Sequence, residues 1–162
     1  YKFADVAVIL HDSVFLQRKV DAFDAVDDSY KMLWSFEHWF DDDAGEIAML
    51  GVFEDPAVVE LYKDKRRWRG CFGCMSVVSH QYLLKLNKQY DLSKLLSKVT
   101  CRDHRCHFER VIAVLLQQCL GDYAEEDPSC FGNIHKYMPW GINLSQVDQF
   151  QHLPAVKVWT GR

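Results

Sequence analysis

Glycine and proline are scarce, at 8 and 4 positions in 162 residues, which excludes a collagen-like or low-complexity chain. Long apolar runs are missing too. Residues 4–10 are interrupted by Asp5 and stop at His11 and Asp12, well short of the roughly 20 apolar residues that cross a bilayer, so no transmembrane segment is expected. Positive charge is not in excess. The 19 Lys and Arg stand against 23 Asp and Glu, a formal net charge of −4, so nothing in the overall charge favours nucleic acid as a partner. Six cysteines (Cys71, Cys74, Cys101, Cys106, Cys119 and Cys130) are too few for a disulfide-built scaffold. They fit a metal site or ordinary buried thiols, and they favour a reducing, intracellular and cytoplasmic compartment. No signal or transit sequence precedes the first apolar segment, and the chain opens on Tyr1, which reads as a chain cut from something larger or processed.

What is present is the balance of a packed domain: 49% hydrophobic, 14% aromatic and 26% charged residues. Such a chain buries enough surface to offset its lost conformational entropy, and its length predicts a single domain over residues 1–162. Residues 4–10 read as a β-branched strand buried on both faces of a parallel or mixed sheet. A second strand is expected within 31–40. Asp41, Asp42 and Asp43 are placed to cap the next helix, and residues 46–63 form one helix or two split before Pro56. Residues 75–78 read as a buried strand, Ser79 as the N-cap of the helix that follows, and 92–99 as further amphipathic turns. Residues 101–107 read as a polar, ligand-rich stretch before a helix over 108–120, which Gly121 stops. A last strand is expected within 155–159. Strands alternating with helices predict an α/β architecture, a mixed central sheet with helices on both faces. Ligands gather at strand ends in such sheets, which directs attention to His11, Asp12 and Ser13 and to residues 70–73.

Several constellations carry chemistry, each with a plainer alternative. Asp12, on a stiff strand exit, suits a divalent cation bridging to phosphate oxygens, or it caps the turn. His11 and Ser13 supply a ligand or hydrogen bonds, or satisfy backbone groups. Gly70 and Gly73 allow close approach of a ligand to the main chain, with Trp68 as a flat stacking face, or they form a bend beside an exposed cationic loop. Cys71 and Cys74 with Cys101 and His104 have the pair spacing of a structural Zn²⁺ site, against which stand buried thiols. Glu109 is a candidate general base at the start of the most apolar helix, or a residue compensating the helix dipole. His135 is a late imidazole suited to complete a metal site begun by Asp12, or an ordinary surface histidine.

The order of these pieces resembles the catalytic part of an inverting glycosyltransferase of the GT-A fold. It is similar to the glycosyltransferase family 2 type and to relatives in large DNA viruses and uncharacterised microbial proteins. In that fold a buried strand ends in an Asp-x-Asp-type motif, and Val8-Ile9-Leu10-His11-Asp12-Ser13 resembles it, with one aspartate in place of two. A glycine-containing strand, a helix and an acidic residue follow on the acceptor side, as residues 68–79 and Glu109 do here. The usual Glu-Asp pair stands as Glu109-Arg110.

The resemblance implies Mn²⁺ or Mg²⁺ held by Asp12 and His135, and Glu109 as base. Donor and acceptor would lie against His11, Ser13, Trp68, Gly70, Phe72 and Gly73, with Arg66, Arg67 and Arg69 on phosphate. The implied partners are a nucleotide sugar and a glycan or other hydroxyl acceptor. The fold normally carries a nucleotide-binding half before its metal motif, and only ten residues precede His11, which implies a fragment lacking that half. The alternatives are a module stabilised by zinc on Cys71, Cys74, Cys101 and His104, and an enzyme-derived domain that has lost catalysis and serves assembly.

Overall fold

A computed structural model describes residues 4–24, 26–121 and 127–159. Seven strands and five α-helices occur among them, in the order β1 (Val6–Ile9), β2 (Val14–Leu16), β3 (Tyr30–Met32), β4 (Ser35–Phe36), α1 (Asp43–Leu50), α2 (Pro56–Lys63), β5 (Gly70–Cys71), β6 (Ser76–Ser79), α3 (His80–Tyr90), α4 (Arg102–Leu120), α5 (Ile134–Tyr137) and β7 (Ala155–Lys157). The general α/β class expected from the sequence is present.

The sheet is built differently from the expectation. β6 lies between β1 and β3, while β2 pairs with β7 and β4 with β5. Every one of these ladders is antiparallel. Parallel contact among the described residues is limited to the bridges Met32–Ser129 and Ser35–Asn133. The strand buried on both faces is β6, whose four residues are all buried. Its Val77 belongs to a core with Leu33, Trp34, Met75 and Ile134, and its Val78 to a second core with Met32, Tyr82, Val114 and Leu115. Successive strand residues face opposite sides, so one short strand anchors both cores. β1, expected in that role, is an edge strand with Val8, Ile9 and Leu10 exposed. A continuous apolar run states that a strand is apolar but not which faces are covered, and here the shorter run at 75–78 took the centre.

Local sequence explains the helix boundaries. The Asp42 side chain accepts from the Gly45 N–H at 3.2 Å, opening α1. Asp55 accepts from Ala57 N–H at 3.0 Å, with Pro56 at the first position of α2. Ser79 accepts from Tyr82 N–H at 3.1 Å, opening α3. These side chains satisfy N–H groups that a helix start leaves without partners. Gly121, at φ +75°, ends α4 in the left-handed region. The start of α4 corrects the sequence reading. The helix begins at Arg102, so residues 102–107 supply the polar first turns of one 19-residue helix rather than a stretch that precedes it. Straight-chain charged residues are sound helix formers, and their exposure here requires no apolar stripe.

α4 packs against α1, α2, α3, β5 and the turn Phe72–Cys74. A buried polar knot locks its middle. Arg110 Nε lies 2.6 Å from Asp41 Oδ1 and 3.3 Å from Glu46 Oε1, while Lys65 Nζ lies 2.8 Å from Asp41 Oδ2. Tyr62 donates to Glu46 at 2.6 Å. α1, α2 and the residues flanking them, Asp41 and Lys65, are thereby fixed against the helix that carries Glu109. No helix among the described residues is long and apolar enough to cross a membrane.

Candidate functional site

Three separate stretches of chain converge on one cleft of about 610 Å³, lined by the exit of β1, the turn before β6 and one face of α4. His11 and Asp12 come from the first, Gly73 and Cys74 from the second, and Arg102, Arg105, Cys106, Phe108 and Glu109 from the third. Thus the structure brings together His11, Asp12, Gly73 and Glu109, which the sequence singled out separately.

The turn is shaped for close approach. Gly73 has φ +62°, and a Cβ there would stand 2.6 Å from His11 Cε1, so the imidazole rests directly on the glycine backbone. The neighbouring Cys74 also has positive φ, 54°. The Gly73 main chain lies near enough to the Glu109 carboxyl to favour its ionised form. Removal from water raises the Glu109 carboxyl to about 7, an effect that Arg110, the Gly73 main chain and Lys157 offset only in part. This corrects the origin proposed for its chemistry. Glu109 lies in the third turn of α4, so burial rather than the helix N-terminus sets its proton affinity. A carboxyl near neutrality is poised to take a proton at working pH.

The guanidinium groups of the cleft were missed. Arg102 and Arg105 line it, whereas the expected Arg66, Arg67 and Arg69 do not. Arg66 lies 3.1 Å from Asp64, Arg67 is exposed elsewhere, and the Arg69 backbone is clamped by the Gln117 amide at 3.0 and 2.9 Å. A signal for the true pair existed. Arg102, Arg105, Cys106 and Glu109 fall at i, i+3, i+4 and i+7, one face of a helix, but it is visible only once 101–107 is read as helix.

Other expected donor or acceptor residues take structural positions. Trp68 is 1% exposed and cannot stack on a ligand. Its indole N–H donates to Tyr62 O at 3.0 Å, and the Lys65 ammonium lies 5.2 Å from its ring centroid. Gly70 exists for packing, since a Cβ there would run into the Phe36 ring. Ser13 is buried, and its hydroxyl accepts from the Lys157 ammonium. Phe72 is half-buried beside Trp140 and Trp159.

The metal ligands expected from the sequence separate. Asp12 lines the cleft and His135 does not. The His135 ring is in edge contact with Trp39 and stacked on Trp140, with centroids 4.9 and 5.3 Å away. The zinc quartet is equally dispersed in its surroundings. Cys71 is buried and directs its thiol at Met75 O, Cys101 is exposed before α4, and the His104 ring faces the Thr100 hydroxyl at 3.1 Å. Burial pushes the Cys71 and Cys74 thiols up, away from the thiolate a metal requires. Among the described residues no three His, Cys, Asp or Glu side chains converge as a metal cage.

A single carboxylate with access to an open cleft fits a cation that takes its remaining ligands from a substrate's phosphates, as Mg²⁺ and Mn²⁺ commonly do. It does not fit a structural zinc.

Comparison with known proteins leaves this geometry to speak for itself: no family model matches the chain, and neither does any curated protein or solved structure.

Proposed function

We propose that this chain carries the metal-side and acceptor-side residues of an inverting glycosyltransferase, moving a sugar from a nucleotide-sugar donor to an acceptor hydroxyl. The observation that carries the reading is the convergence, in one cleft, of the β1 exit carboxylate Asp12, the glycine turn at Gly73 and the neutral-range carboxyl Glu109. An intracellular, cytoplasmic setting belongs to the same reading, and six unpaired cysteines support it.

Asp12 is the residue that would hold Mn²⁺ or Mg²⁺. When bound, the ion would neutralise charge on the departing nucleoside diphosphate. His135 has no part in this, because it lies outside the cleft lining. Arg102 and Arg105 present guanidinium groups to the same diphosphate, a charge-assisted interaction suited to phosphate oxygens. The His11 imidazole, seated on the Gly73 backbone, presents its ring to the donor sugar at the cleft wall.

Glu109 as carboxylate accepts the acceptor's hydroxyl proton. The freed oxygen forms a bond to the anomeric carbon from the face opposite the diphosphate, whose oxygen departs with the bonding electron pair. Configuration is thereby inverted.

The test is release of nucleoside diphosphate by the full chain from UDP-glucose, UDP-N-acetylglucosamine and GDP-mannose, with Mn²⁺ and a panel of sugar acceptors. Turnover of at least one donor is expected, falling about 100-fold or more in Asp12→Ala and in Glu109→Gln. Full activity in either variant, or no turnover of any donor, contradicts the proposal.

A further inference from the structure

We infer that a row of aromatic rings leading to the turn beside the cleft is a platform for an extended neutral glycan, the acceptor of the transfer reaction, an inference that rests on the glycosyltransferase reading. The row begins at Phe40, 84% exposed, stacked at 6.0 Å with Trp39, 57% exposed. The edge of Trp39 meets His135 at 4.9 Å, and His135 stacks under Trp140, 64% exposed, at 5.3 Å. Trp140 lies 4.8 Å from Trp159 and 6.4 Å from Phe72. Phe72 is followed directly by Gly73, which lines the cleft together with Glu109. The ring path therefore ends one residue from the cleft wall.

Exposed indoles of this size are costly to leave in water and mark binding surfaces. Three features select a sugar chain as the occupant. Sugar rings offer apolar C–H faces to the indoles and hydroxyl edges to flanking polar groups. The Glu37 carboxylate and the Lys136 ammonium, 2.8 Å apart beside Trp39 and His135, supply such groups. A single-stranded nucleic acid needs a cationic track along its stacking platform. The charges beside the row are instead mixed, Glu37 with Lys136 and Arg69, and form no continuous cationic track, on a chain of net charge −4. The core of a protein interface is a closely packed apolar patch. This surface is a line of rings interrupted by an imidazole, and its mutual contacts hold Trp39 and Trp140 in place before any ligand binds, which lowers the entropy lost on binding.

The experiment titrates the full chain with cellohexaose, maltohexaose, chitohexaose and glucose, following intrinsic tryptophan fluorescence and calorimetric heat. The two remaining tryptophans, Trp34 and Trp68, are buried and act as a constant background. At least one hexasaccharide is expected to bind, and glucose far more weakly. Trp39→Ala and Trp140→Ala should each weaken that binding about tenfold or more, with melting temperatures near wild type because both side chains are exposed. Glu109→Gln should lose turnover yet still bind the hexasaccharide. Binding therefore reads the platform and turnover reads the enzyme, so failure of one is distinct from failure of the other. The inference is overturned if no hexasaccharide binds or if affinity is the same in both tryptophan variants. It is also overturned if a dT12 oligonucleotide binds in a Trp39- and Trp140-dependent way in place of the glycans. Concentration-dependent dimerisation lost in Trp140→Ala would identify a second copy of the chain as the occupant instead.

Discussion

The Glu109 carboxyl and the Gly73 backbone line the same cleft, the one from the third turn of α4 and the other from the turn before β6. Burial raises the proton affinity of that carboxyl, and the Gly73 main chain lowers it in part. The chemistry of the site depends on both.

The pH dependence of activity follows from that carboxyl. Glu109 acts as base only when ionised, so kcat/KM for any accepted donor should rise with pH through about 7 and level off above it. Glu109→Gln should remove this limb along with most of the rate. A rate unchanged between pH 5.5 and 8.5 in wild type would contradict the assignment.

Stability should move the opposite way. The folded-state affinity of Glu109 for its proton is raised from the ordinary 4.5 to about 7. The folded state therefore holds a proton that the unfolded chain releases between those values, and stability falls as pH rises across that window. At pH 8, Glu109→Gln should stabilise the fold by about 1–3 kcal/mol, and at pH 4 by almost nothing. Urea unfolding of both proteins at the two pH values checks it.

Asp41 makes the contrary prediction. Burial alone would raise its carboxyl, but His38, Lys65 and Arg110 outweigh that and hold it well below the usual carboxylate range. Its contribution is present above about 3.8, the unfolded value, and is lost as pH falls toward the depressed folded value. Asp41→Asn leaves the Arg110 and Lys65 cations without their shared carboxylate and should cost about 3–5 kcal/mol at pH 7, shrinking in acid. Denaturant melts at pH 7 and pH 3 read both numbers.

Much of this was legible in the sequence because it is local. Asp42 and Ser79 each cap a helix through a hydrogen bond three residues away, Pro56 opens α2, and Gly121 ends α4 by its own backbone freedom. Asp12, Gly73 and Glu109 could be named for their chemistry before anything placed them together. What failed was non-local. Residues 4–10 look like a central strand, yet only pairing decides that β6 takes the centre and β1 the edge. Trp68 among five basic residues over 63–69 looks like an exposed stacking face, yet Tyr62, His38 and Lys65 enclose it. His135 has the chemistry of a ligand, and the rings of Trp39 and Trp140 claimed it. The polar run at 101–107 concealed Arg102 and Arg105, because a ligand-rich composition outweighed its helical spacing.

Arg105→Ala should weaken binding of UDP or GDP in the presence of Mn²⁺ by about tenfold and make the remaining affinity less sensitive to salt. Arg66→Ala, on a side chain outside the cleft, should do neither. Calorimetry at 50 and 300 mM NaCl separates the two, and equal losses in both variants would relocate the phosphate site to the 63–69 strip.

The most direct measurement is a carbon-13 NMR titration of the Glu109 side-chain carboxyl in the free protein, assigned by comparison with Glu109→Gln. The account predicts a midpoint near 7, more than two pH units above an exposed glutamate. A midpoint near 4.5 would show an ordinary solvated acid, and the poised base at the centre of the proposed chemistry would be gone.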